Sequence, residues 1–188
     1  LRVLAESPQV SAAQVVPDAP VGDHRDPATV SAFAAECDVL TFDHEHVPGP
    51  LLEKLVADGV AVRPGPDALR HAQDKLVMRR RLTDLGLPGP KWRQVHDWDD
   101  VKAFGAELVA AGRSGQVVLK TPRGGYDGKG VLVLDPQADQ DQHPTDQNQN
   151  QTDQDQDQQK ADTARQWLAD AGPDGLLAEE RVAFDREL

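Results

Sequence analysis

Seven residues, Gly124-Gly125-Tyr126-Asp127-Gly128-Lys129-Gly130, hold four glycines, and the cations Lys120, Arg123 and Lys129 lie in or beside them. Glycines let backbone N–H groups approach an anion closely and converge on it, and lysines add the charge. The chemistry these residues could do is phosphate binding. Their flanks are apolar: Val117-Val118-Leu119 before and Val131-Leu132-Val133-Leu134 after. That pattern reads as a hairpin whose connection is longer than a turn alone requires. A strand, not a helix, follows Lys129, which excludes the G-x-x-x-x-G-K-[ST] phosphate loop. The other reading is an ordinary surface loop.

A second concentration of chemistry is Asp43-His44-Glu45-His46, two carboxylates and two imidazoles in four residues. The types suit metal or acid–base work. In an extended segment, however, alternation divides them between two faces. No Cys/His spacing of a zinc site occurs, so no metal ligands are assigned. Lys75 opens a helix behind Asp74, where a cation opposes the helix dipole; it is either solvated or shares an anion. Glu179, Glu180 and Glu187 near the chain end read, by themselves, as solvent-facing acids. Cys37 reads as a small core residue rather than a nucleophile.

The elements that must position these groups follow from periodicity and punctuation. Leu1–Ala5 is strand-like. Asp26 caps a helix with Pro27 at its first position and Val30, Phe33, Ala34 and Cys37 on one face. Val39–Phe42 is a buried-type strand; a helix opened by Pro50 turns Leu51, Leu52, Leu55 and Val56 inward and stops at Gly59, and Val60–Val62 is the next strand. This alternation predicts an α/β fold with a parallel, Rossmann-like sheet. Pro64-Gly65-Pro66 marks a boundary between domains 1–65 and 66–188. Beyond it, Asp74 caps a helix carrying Met78, Leu82 and Leu85, and Asp97 caps one carrying Val101, Phe104, Leu108 and Val109. The tract Asp135–Asp162 is dominated by Asp, Gln and Asn with no apolar face, and is expected to be a disordered insert. Ala164, Trp167, Leu168 and Ala171 then make a helical stripe, with Trp167 in the core, and Leu176–Val182 a strand.

Composition narrows the partners. Of the net charge of −12 over 188 residues, the tract 135–162 contributes −7 (eight Asp, one Lys), leaving −5 and no basic stripe. Nucleic acid is therefore not an expected partner. No apolar run approaches membrane-spanning length and no signal peptide opens the chain, so a cytoplasmic protein away from membranes is expected. A single cysteine excludes an internal disulfide. The first residues are strand-like without an initiator Met and the chain stops without a terminal signal, so a piece of a longer protein is expected.

Lys120-Thr121-x-x-Gly124-Gly125-Tyr126-Asp127-Gly128-Lys129-Gly130 resembles the nucleotide-covering hairpin of ATP-grasp enzymes. Its Gly-Gly-Tyr-Asp-Gly core is similar to that of the N5-carboxyaminoimidazole ribonucleotide synthetase family. Thr41–Pro48 resembles that family's Thr-Phe-Glu-x-Glu-x-Val-Pro, with Asp43 where Glu is usual, and Gln73-Asp74-Lys75 and Glu179–Glu187 also match in order and spacing. The resemblance covers nearly the whole chain apart from the insert. It lacks the family's first strand and glycine-rich turn, which precede the position of Leu1.

The resemblance implies a Rossmann-like domain followed by the lid part of an ATP-grasp domain. The implied reaction is ATP-dependent carboxylation of aminoimidazole ribonucleotide by bicarbonate, through carboxyphosphate, in purine synthesis. Lys75 and Lys120 would meet ATP phosphates. Gly125, Gly128, Lys129, Gly130 and Val131 would cover the nucleotide, and Tyr126 and Asp127 would sit where ATP and imidazole meet. Backbone at Glu179, Glu180, Arg181 and Val182 would read the base, and Glu187 would hold ribose. Mg²⁺ ligands are expected beyond Leu188, and a homodimer when full length. Another ATP-grasp carboxylate–amine ligase and a non-catalytic ATP-binding module are the alternatives.

Overall fold

The computed structural model describes residues 1–125, 129–137 and 151–184. They form two compact units, Leu1–Gln73 and Asp74–Leu188.

The first unit contains α1 (Ser11–Val15), α2 (Pro27–Ala34), α3 (Gly49–Ala57) and α4 (Pro66–Gln73). α2 starts as its sequence dictates: the Asp26 carboxylate accepts the Thr29 N–H at 2.8 Å and Pro27 follows it. The Thr29 hydroxyl and amide hold that carboxyl below its ordinary pKa. Val30 and Ala34 of α2 pack with Leu40, Val47, Leu51, Leu52, Leu55, Val62 and Leu69 in one core. Val56, expected inward, is instead largely exposed.

The expected parallel sheet is reduced here to two isolated parallel bridges, Ala5↔Val21 and Leu40↔Val62. Each is held by a pair of hydrogen bonds, such as Leu40 N–H to Ala61 O at 2.9 Å and Arg63 N–H to Leu40 O at 2.8 Å. Prolines limit both: Pro20 precedes Val21 and Pro64 follows Arg63, and neither has an N–H to extend a ladder. The unit runs past Pro64-Gly65-Pro66 because α4 belongs to it. Leu69 is in its core, and Gln73 Nε2 donates to the carbonyls of Glu45 and Val47, both at 2.8 Å.

In the second unit come α5 (Lys75–Asp84), β1 (Trp92–Val95), α6 (Trp98–Ala110), β2 (Val117–Lys120), β3 (Val131–Leu134), α7 (Gln151–Ala171) and β4 (Leu176–Glu180). The strands make one sheet in the order β1-β4-β2-β3, and every neighbouring pair is antiparallel. One sheet face buries Val95, Val117, Leu119, Leu134, Leu176 and Ala178 with Val101, Phe104 and Leu108 of α6 and Ala164 and Leu168 of α7. Lys120 and Glu179 alternate onto the other face.

The tract 135–162 departs from expectation at both ends. Pro136 is fully buried, and Gln137 Nε2 donates to Lys102 O at 2.9 Å. From Gln151 the chain is already helical. Ala161, buried within the tract, continues the stripe of Ala164 and Leu168. Gln158 reaches Asp162 at 3.0 Å and Lys160 reaches Asp157 at 3.1 Å along the exposed side. A helix anchored at one end propagates into neighbouring sequence at little cost, since nucleation is the costly step. Residues 138–150 lie outside the described residues.

Candidate functional site

The glycine-rich connection leaves β2 at Lys120 and enters β3 at Val131, which pair directly. Thr121 N–H donates to Gly130 O at 3.0 Å, so the two arms stay together beyond the strands. They approach so closely that only glycine fits. A Cβ on Gly125 would lie 2.6 Å from both Gly130 Cα and Thr121 Oγ1, and Gly125 has φ +74°. The Thr121 hydroxyl is buried there without a hydrogen-bond partner.

Two elements anchor this hairpin. α5 begins against it: Lys75 N–H donates to Pro122 O at 2.9 Å and Lys75 Nζ to Gly124 O at 2.9 Å. Buried Asp74 caps α5 by accepting the Leu76 and Val77 amides at 2.9 and 3.1 Å. Its other oxygen meets Arg123 at 2.9 Å, and Arg123 also reaches Asp174 at 3.1 Å. One carboxylate thus starts the helix and fixes the arm.

The second anchor is Glu179. It lies opposite Val118 in the β2–β4 ladder, so Lys120, two residues on, is its same-face diagonal neighbour. Lys120 Nζ lies 2.5 Å from Glu179 Oε2, with the Lys120 side chain 26% exposed and that of Glu179 only 4%. Arg79, one turn along α5 from Lys75, takes the other oxygen. A buried carboxylate is tolerated when paired. Two cations against one carboxylate leave the cluster with one net positive charge at the root of the glycine hairpin. An arrangement of this kind attracts a polyanion and holds its ammonium in place.

Of the residues singled out from sequence, Lys75, Lys120, Gly125, Gly130, Val131 and Glu179 gather around this hairpin. Lys129 is exposed on its returning arm. The side chains of Glu180 and Arg181 are turned elsewhere: Glu180 pairs with Arg113 and accepts the Lys91 amide at 2.8 Å, while Arg181 reaches Gln116 Oε1 at 2.6 Å. Their amides donate to the Lys91 and Gln116 carbonyls at 2.9 and 3.2 Å. Val182 is half-exposed beyond them. Tyr126, Asp127, Gly128 and Glu187 lie outside the described residues. Arg79 went unread in the sequence. Helical spacing puts it on the same face as Lys75, four residues earlier, but Lys75 turns to the Gly124 carbonyl and no local pattern names Glu179 as the partner of Arg79.

Residues 1–73 match the family model described as the ribonucleotide synthetase preATP-grasp domain. The whole chain is 46% identical over 188 residues to an N5-carboxyaminoimidazole ribonucleotide synthase of Mycobacterium tuberculosis (strain ATCC 25618 / H37Rv), spanning 38% of it. It is 37% identical to that of Corynebacterium ammoniagenes, spanning 39%. Among solved structures, 98% of the chain superposes on 41% of an N5-carboxyaminoimidazole ribonucleotide synthetase in complex with ADP, with a TM-score of 0.70 and 27% identity. The corresponding enzyme of Thermotoga maritima gives a TM-score of 0.64 at 26% identity over 97% of the chain and 39% of that protein. The chain thus spans about two fifths of the relatives it matches. Over that span it belongs to the N5-carboxyaminoimidazole ribonucleotide synthetase family of ATP-grasp proteins.

Proposed function

We propose that the protein containing this chain carboxylates 5-aminoimidazole ribonucleotide with bicarbonate at the expense of ATP, in purine synthesis. In this reading the chain supplies the preATP-grasp domain and the phosphate-covering part of the ATP-grasp domain. The observation that carries the proposal is the Arg79–Glu179–Lys120 cluster at the root of a glycine hairpin, in a chain whose relatives are named for this synthesis. One of those similar structures is an ADP complex.

The chain's own residues divide the work. An ammonium has three donors; Glu179 occupies one of Lys120's and aims the group, leaving donors for phosphate oxygens. Arg79 keeps the cluster cationic, so Lys120 is not neutralised by its own support. Lys75 holds the Gly124 carbonyl in this structure and is proposed to exchange it for a phosphate oxygen. Lys129, on the returning arm, adds its charge when the hairpin lies over the nucleotide. Positioned cations of this kind stabilise charge on a transferring phosphoryl group. Tyr126 and Asp127 are proposed at the meeting of ATP and imidazole. For the base edge, the Val182 amide and the carbonyls of Glu180 and Arg181 are proposed, because the Glu180 and Arg181 amides are engaged. Glu187 is proposed for ribose.

Magnesium, which ATP-grasp chemistry implies, does not fit the carboxylates around the hairpin. Glu179 is held by two cations, and Asp74 by helix amides and Arg123. Its ligands are proposed beyond Leu188. A Rossmann-like arrangement in the first unit is supported by both bridges being parallel. A cytoplasmic homodimer is the corresponding proposal for the whole protein. Among the described residues no helix is long and apolar enough to cross a membrane.

The test is incorporation of labelled bicarbonate by the full-length protein. It should require ATP and aminoimidazole ribonucleotide together. Labelling with another amine in place of the ribonucleotide would instead identify a different ATP-grasp ligase.

A further inference from the structure

His24 is buried in the first unit, 9% exposed, and neither ring nitrogen has a hydrogen-bond partner. Buried imidazole nitrogens without a hydrogen bond are costly, which makes the surroundings informative. Its Nδ1 lies 3.1 Å from Glu6 Oε1, and its ring packs edge-on against that of His44 with centroids 4.9 Å apart. One ligand atom from each of Glu6, His24 and His44 lies within 4.8 Å of the other two. Three segments distant in sequence thus bring a carboxylate and two imidazoles to one point. His24 and His44 also border an apolar cavity lined by Val30, Phe33, Leu40 and Phe42.

We propose that Glu6, His24 and His44 bind one divalent first-row transition ion, Zn²⁺ by preference. Nitrogen and oxygen donors on a tetrahedral zinc stand about 2.0–2.2 Å from the ion, hence roughly 3.3–3.5 Å from one another. The Glu6–His24 pair already has nearly that separation. His44 closes the remaining gap by side-chain rotation. Its Nδ1 accepts a long bond, 3.2 Å, from the His46 amide. The ion displaces that bond, either by taking Nδ1 or by shifting the proton to it so that Nε2 binds. Two imidazoles with one carboxylate suit zinc, cobalt or nickel rather than magnesium or calcium. A fourth position is left for water. The ion would tie together the loops at Glu6, His24 and His44. The sequence assigns no metal ligands within Asp43–His46, because alternation divides that run between two faces; the fold draws His44 out of it to two residues far from it.

The experiment uses the tag-free full-length protein, stripped with chelator and titrated with Zn²⁺, and with Co²⁺ as a spectroscopic probe. The expected result is one equivalent bound, a rise in melting temperature, and the visible absorption of four-coordinate Co²⁺. Loss of an outer-shell partner alone costs metal sites about 10–100-fold in affinity. His44→Gln and Glu6→Gln, which remove direct ligands, should each weaken binding by at least that factor. Glu6 is exposed, so its variant keeps the fold if His24→Gln does not. His46→Gln should bind as the parent does. Absence of stoichiometric binding, or binding untouched by both His44→Gln and Glu6→Gln, would overturn the proposal. So would a loss in His46→Gln as large as in His44→Gln, since that places the ion in the Asp43–His46 run.

Discussion

Glu179 fixes two cations at once, and the consequences of losing it follow from what it leaves behind. Glu179→Gln strands Lys120 and Arg79 beside each other with no counter-charge. Removing one member of a buried ion pair costs about 3–5 kcal/mol. Lys120 and Arg79 keep some water contact, so the low end, about 3 kcal/mol, is expected in urea unfolding; a loss below about 0.5 kcal/mol would show that the cluster is not structural. Gly125→Ala meets both a positive φ and a methyl 2.6 Å from Gly130 Cα. It should part the hairpin arms and weaken ATP binding while leaving the core intact. An unchanged ATP affinity with an unchanged melting temperature would contradict the close crossing. Lys120 stands out in the sequence as charge beside glycines, and Lys75 as a cation in the first turn of a helix, where it opposes the dipole. Arg79 does not, because its partner lies 100 residues away, and only the fold brings them together.

Elements were read best where their ends are chemically marked. Asp26 and Pro27 start α2, Asp74 starts α5 and Asp97 starts α6, each as capping predicts. The Asp26 cap carries a pH signature. Its folded pKa is lowered by the Thr29 hydroxyl and amide. Its contribution is therefore present above the unfolded carboxyl pKa and lost as pH falls through the lower folded value. Parent and Asp26→Asn stabilities, compared by urea midpoint, should converge on acidification; a gap independent of pH would remove the charge from the cap. Long-range pairing was less legible. Apolar runs in the first unit predict strands, but whether a run extends a ladder depends on neighbours that periodicity does not name. In the tract 135–162, composition masked a helix because its first turns carry no apolar residues, and only anchorage at Ala161, Ala164 and Leu168 makes them helical. Leu168→Ala should therefore cost about 2–5 kcal/mol, whereas Gln156→Ala should stay within about 0.5 kcal/mol. A large loss at Gln156 would mean that the helix packs further back than its buried residues show.

At the scale of the molecule, two units divide the chemistry. The first carries the Glu6–His24–His44 cluster, the second a cationic hairpin on an antiparallel sheet. An acidic chain, net −12, nonetheless places Lys75, Lys120, Arg123 and Lys129 around one loop. Local concentration of cations against the overall sign is what phosphate binding requires. The central claim is that Lys120, aimed by Glu179, holds ATP phosphate. It is tested most directly by the ATP affinity of full-length Lys120→Met against parent, with circular dichroism confirming the fold. One lost charge-assisted contact is worth about 1.5–3 kcal/mol, so ATP binding should weaken roughly ten- to a hundred-fold. Parental ATP affinity in folded Lys120→Met would contradict the account.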